Sequence, residues 1–222
     1  TEPQMYYDQQ EFDIRCEWGE QGVAALAPIS DVVVIVDVLS FSTCVDIATS
    51  QGARVYPCHW KDERAAAFAA EQGAELVSPR RSLAELSLSP TSLIQLPPGA
   101  AIVLPSPNGS SLTTAAAIHG SEANTPLSTV LTGCLRNARA VAAAARQNGG
   151  KIALIPAGER WRQDFSLRPA FEDLVGAGAI IRHLPGMRSP EAQAAVAAFE
   201  AAAPHLAALL HQCSSGKELV EL

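Results

Sequence analysis

The chain has 222 residues, a net charge of −7 and a hydrophobic content of 48%. That content is too high for a disordered chain and sufficient for one large core, so a single domain over residues 1–222 is expected. The acidic balance argues against nucleic acid or an anionic membrane as a general partner. The apolar runs read as short: residues 32–39 are interrupted by Asp37 and fall far below the roughly 20 residues of a membrane helix. Residues 1–13 are polar and acidic and do not read as a signal peptide. Cys16, Cys44, Cys58, Cys134 and Cys213 form no Cys-x-x-Cys pair and read as free thiols, so the expectation is a soluble cytoplasmic protein.

In chain order, residues 12–18 alternate apolar and polar and predict a half-buried edge strand. A short helix over 19–27 ends at Pro28. The β-branched run 31–38 predicts a strand covered on both faces. A helix over 41–51 stops at Gly52, and a strand over 53–58 leads to an alanine-rich helix over 61–72, stopped by Gly73. A short strand at 74–77 precedes a loop over 82–98. Strands over 100–104, 129–132 and 151–155 alternate with helices over 110–118, 135–147 and 169–184. A last alanine-rich helix over 190–212 has a kink expected at Pro204. Strand and helix alternate for most of the chain, which predicts an α/β fold: a mostly parallel sheet between two helical layers, α/β/α. The alanine content of the late helices favours close helix packing or a subunit interface, which leaves a homo-oligomer open.

Ligands in such folds sit beyond the carboxyl ends of the strands. Asp37 lies inside an otherwise buried run, and a buried carboxylate needs a partner, a hydrogen bond or a metal. It either caps the next helix or belongs to a site, with Ser40, Ser42 and Thr43 at the turn. Asn108-Gly109-Ser110 forms a second strand-to-helix turn that reads either as an ordinary N-cap or as an oxyanion cradle. At the third, Cys134 stands at a helix start, where a thiol pKa falls, but no arginine follows six residues on as thiol phosphatases need. Asn137 either faces the pocket or lies on the surface. Beyond the last strand come Gly158, Glu159 and Arg160, then the adjacent Glu172 and Asp173. With Asp37, those two acids make an oxygen-rich set suited to Mg²⁺, or they simply complement the helix dipole. Arg160, Arg162 and Arg168 supply positive charge that the acidic total lacks. His59, His119, His183, His205 and His211 show no metal spacing.

Taken together, the segments VVVIVDVLSFSTCVDIATSQGA, SPNGSS, VLTGCLRNARAVA, PAGERW, FEDLVGAGAII and SSGKELVE resemble the 2-phosphosulfolactate phosphatase family, from about residue 32 to 222. The resemblance implies an α/β/α fold, a Mg²⁺ cofactor and hydrolysis of a small acidic phosphate monoester. The product would be 3-sulfolactate, in coenzyme M-type sulfonate metabolism. Asp37, Asn108, Gly109, Cys134, Asn137, Gly158, Glu172 and Asp173 are the pocket residues it implies. Asp37, Glu172, Asp173 and Cys134 are the catalytic candidates. Asp37, Glu172 and Asp173 are the metal candidates, and Ser40, Ser42, Ser110 and Arg160 join the substrate-binding candidates. Many members carry an arginine where this chain has Ser40. A phosphatase on another phosphorylated acid, or a non-catalytic anion-binding domain, would use the same features.

Overall fold

The computed structural model describes residues 6–60, 62–78, 85–122 and 128–221, the side chains of 119–122 excepted. The chain runs β1 (Ile14–Cys16), α1 (Gly19–Leu26), β2 (Val32–Val36), α2 (Phe41–Ser50), β3 (Arg54–Cys58), α3 (Glu63–Gln72), β4 (Glu75–Leu76) and β5 (Ala101–Pro105). It continues through α4 (Gly109–Glu122), β6 (Thr129–Gly133), α5 (Ala138–Asn148), β7 (Ile152–Pro156), β8 (Glu159–Arg160) and β9 (Leu167–Arg168). Helices α6 (Phe171–Ile181), α7 (Pro190–Ala202), α8 (Leu206–Gln212) and α9 (Ser214–Val220) complete it. Residue 61 of the expected third helix and residues 82–84 of the expected loop lie outside the described residues.

The fold is α/β with parallel sheets between helical layers, as the alternation predicts. The strands divide, however, into two separately hydrogen-bonded parallel sheets, of order β1-β7-β2-β6 and β3-β5-β4, with β8 and β9 forming an antiparallel ribbon. Strand β2 lies in register with β7 on one side and β6 on the other. Its five side chains are all fully buried. Val32, Val34 and Val36 face α5, α6 and α7, while Val33 and Ile35 face α1 and α4. Burial on both faces explains the unbroken β-branched run, and each such side chain contributes about 1.5–3 kcal/mol. Helix α2 covers one face of the smaller sheet, with Leu93 and Leu96 of the following loop, and α3 covers the other.

Strand β1 is at the sheet edge as expected, but it is buried rather than half-buried. Helix α7 packs over it. Arg15 is buried by placing its guanidinium on the carbonyls of Phe12 and Ile29, both at 3.0 Å. The expected start of the fifth helix at residue 135 moves to Ala138, because Asn137 Oδ1 accepts the Cys134 amide at 2.8 Å and holds the segment as a turn. The long last helix breaks at the 3₁₀ turn Ala203–His205, which contains Pro204. By length and composition alone, Pro190–Gln212 is long and apolar enough to cross a membrane, contrary to the reading of short apolar runs. Its first half instead packs against α6. A Cβ on Gly178 would collide with the Ala195 carbonyl, and one on Gly176 would come within 2.6 Å of Val38 Cγ2. The small residues of α6 are therefore what bring these layers together.

Candidate active site

Strands β2, β5 and β7 deliver their following loops to the site. Asp37 follows β2 and is buried. Its Oδ1 accepts the Phe41 amide at 3.2 Å, which fixes the start of α2. Its Oδ2 accepts the Gly109 amide at 2.9 Å, from the turn after β5. A Cβ at position 109 would strike the Phe41 ring and lie 2.7 Å from Asp37 Oδ2. Glycine is thus required for close approach of the backbone to the carboxylate.

Asp173 plays a similar part from α6. Its Oδ1 accepts the Val38 amide and its Oδ2 the Gly158 amide, each at 2.8 Å. Gly158 has φ +69°, and a Cβ there would lie 2.7 Å from Leu167 Cδ1. One buried carboxylate therefore joins the loops after β2 and β7. Burial and the neighbouring Asp37 and Glu172 raise the Asp173 pKa well above the usual carboxylate range, against the lowering effect of its two amide bonds. Glu172 is also buried. Its Oε2 accepts from the Cys213 thiol at 3.5 Å.

The remaining acid is Glu159, on β8. Its Oε2 accepts from Asn108 Nδ2 at 2.9 Å, across 51 residues of sequence. This bond brings the Asn108-Gly109 turn and the loop after β7 together. Burial first, then Asp37 and Glu172, push the Glu159 carboxyl up to about 7, while Asn108 and Arg168 oppose the rise. Glu159 is the cross-strand partner of Arg168 in the β8–β9 ribbon. A cleft of about 680 Å³ opens beside them, lined among others by Arg160, Trp161, Arg162 and Arg168.

The structure gathers Asp37, Asn108, Gly109, Gly158, Glu172 and Asp173 around this centre and puts Arg160 on the cleft. Arg160 is engaged by Glu20 and by the Phe165 carbonyl. Three other candidates serve the backbone. Ser42 Oγ accepts the Asp37 amide at 3.1 Å, and Ser110 Oγ donates to the Leu104 carbonyl at 2.6 Å. Asn137 holds the turn after β6 with both ends of its amide. Ser40 is buried at the N-cap of α2. Cys134 is fully buried and burial pushes its thiol up, so the expected lowering at a helix start is not found. The sequence names Glu159 beyond the last strand without a role, and Arg168 only as a source of positive charge. The available signal was Glu159 directly after a strand-end Gly, but the pairing with Asn108 and the short ribbon have no sequence signature.

Among the described residues, no three His, Cys, Asp or Glu side chains stand grouped to hold a metal ion. The donor chemistry nonetheless suits Mg²⁺. Asp37, Glu172 and Asp173 are hard oxygen donors, and a divalent cation among them would relieve the repulsion that raises Asp173. Mg²⁺ commonly uses one or two carboxylates and keeps its waters, so a closed cage is not needed.

An acid-lined centre beside an arginine-rich cleft, at the carboxyl edge of parallel strands, defines an α/β protein with a site for a small polar ligand. The family model described as 2-phosphosulpholactate phosphatase matches residues 23–222, and the chain belongs to that family of phosphatases. A search of curated proteins finds no match.

Proposed function

We propose that this protein hydrolyses a small acidic phosphate monoester, 2-phospho-3-sulfolactate, to 3-sulfolactate and phosphate, as one step of coenzyme M-type sulfonate metabolism in the cytoplasm. The Asn108–Glu159 bond carries the reading, since it sets a carboxyl of pKa about 7 between the buried acids and the arginine-lined cleft. The five free cysteines agree with a reducing compartment.

Asp37 with Glu172 or Asp173 would hold Mg²⁺, which when bound supplies positive charge against the phosphate oxygens. Glu159 is the group that moves a proton. Near neutrality it is present in both forms, so it can orient the attacking water as a base or return a proton to the leaving alkoxide as an acid. Asp37 and Asp173 position it indirectly, by fixing the backbone at Gly109 and Gly158. The arginines of the cleft offset the charge of a ligand that an acidic protein would otherwise repel.

Phosphate release is the direct test, measured on 2-phospho-3-sulfolactate and on p-nitrophenyl phosphate with Mg²⁺ and with EDTA. Metal-dependent turnover that Asp37→Asn and Glu159→Gln abolish with folding intact is the expected result. Absence of turnover on both esters, with phosphate still bound, would replace the enzyme by an anion-binding domain.

A further inference from the structure

Arg168 sits between two carboxylates. On one side is Glu159, directly opposite it in the β8–β9 ribbon, where paired side chains share a face. On the other is Glu218 of α9, whose Oε2 and Oε1 accept from Arg168 Nη2 at 3.0 and 3.3 Å. The Arg168 side chain is only 14% exposed, whereas Glu218 is 48% exposed. The Arg168 guanidinium lies 5.8 Å from the Trp161 ring centroid, which limits its freedom. Arg168, Trp161, Glu159 and Glu218 all line the same cleft. The more enclosed, oriented partner is thus the cation, and the more solvated partner is the acid. Among the described residues both hydrogen bonds of Arg168 come from Nη2, so Nε and Nη1 of the planar fork remain as further donors there.

We propose that Arg168 binds the acid group that the substrate carries beside its phosphate, a carboxylate or sulfonate, and that Glu218 occupies this subsite when no substrate is present. The inference rests on the reading of the site as a phosphatase centre and deepens it. Glu159 stands at the boundary, facing the buried acids through Asn108 and Arg168 through the ribbon. A ligand whose phosphate lies at the acids therefore presents its second anion to Arg168. Displacement of Glu218 loosens one of the contacts that dock α9, the Cys213–Glu172 contact just before that helix being another.

The test compares two substrates on the full chain. 2-Phospholactate carries a carboxylate beside its phosphate, and p-nitrophenyl phosphate does not. Loss of Arg168 also affects Glu159, and so slows both substrates. The informative quantity is the ratio of their kcat/KM values. Arg168→Gln is expected to lower 2-phospholactate kcat/KM about 10-fold to 100-fold more than that of p-nitrophenyl phosphate, the range of a charged hydrogen bond. Arg168→Lys falls between, and Glu218→Gln lowers KM for 2-phospholactate alone. Calorimetric titration with 3-sulfolactate provides a readout independent of turnover, with binding weakened in Arg168→Gln and strengthened in Glu218→Gln. Equal losses for both substrates, or product binding indifferent to both substitutions, overturn the subsite. If the native protein hydrolyses neither ester but binds 3-sulfolactate through Arg168, the phosphatase reading falls and the subsite stands.

Discussion

The Glu159 carboxyl offers a test that needs no substrate. Its pKa is raised from an ordinary 4.5 to about 7 in the folded protein. Below the ordinary value both folded and unfolded states carry the proton, and there is no penalty. As pH rises through 4.5 the unfolded chain releases its proton freely while the folded one holds it. Stability therefore falls until the folded carboxyl also ionises near 7, and then levels off. At 1.36 kcal/mol per pH unit the full difference is about 3 kcal/mol, and partial solvation of the side chain reduces it to about 2. Glu159→Gln removes the charge while its amide oxygen can still accept from Asn108 Nδ2. The variant is expected to be more stable than the native chain by about 2 kcal/mol at pH 8 and indistinguishable from it at pH 4.5. Urea unfolding of both proteins in EDTA at the two pH values measures this. A variant destabilised at pH 8, or a difference that does not change with pH, would refute the account of an acid held at the cost of stability. The gain should come with lost turnover, since sites under strain trade stability for activity.

Asn108→Ala removes a bond that holds the Glu159 carboxyl down, so the limb of the pH–rate profile that Glu159 governs, acidic if it is the base and basic if it is the acid, is expected to move to higher pH; a profile with both limbs unchanged would separate Glu159 from the rate. Asp173→Asn turns an amide NH₂ toward one of two backbone N–H donors and is expected to cost about 1–3 kcal/mol in urea unfolding. Gly178→Ala forces a methyl into the Ala195 carbonyl and is expected to cost at least about 1–3 kcal/mol by overpacking, read as a lowered Tm. Millimolar Mg²⁺ is expected to raise the Tm of the native chain, and to do so less in Asp37→Asn; an equal rise in both would place the cation elsewhere.

The residues that lie in regular elements were legible because one physical rule governed each. Val32–Val36 is buried on both faces and is β-branched throughout, and Gly73 ends α3 in the left-handed region at φ +58°. Strand β1 was misjudged because Arg15, polar by composition, buries itself through two backbone carbonyls. Asp37, Glu172 and Asp173 stood out as charges in apolar company. Glu159 did not, since its raised proton affinity arises from burial and then from Asp37 and Glu172, which the local sequence does not place beside it. Cys134 was read from its place at a helix start, yet depth of burial outweighed that effect. The three hydroxyl and amide candidates, Ser42, Ser110 and Asn137, carry the right groups at the right turns, but short-range bonds to their own backbone claim them.

The chain changes sheets at the site itself. It leaves β2 of the larger sheet at Asp37 and enters α2, which covers the smaller one; it leaves β5 of the smaller sheet at Asn108 and enters α4, which covers the larger. The Gly109–Asp37 bond closes this double crossing. The angle between the two layers is consequently built into how the Asn108-Gly109 turn meets Asp37 and Glu159. A substitution far out in either layer that tilts one against the other will be felt as a loss of alignment at the crossing, and anything that grips both loops at once will stiffen the whole molecule along that join.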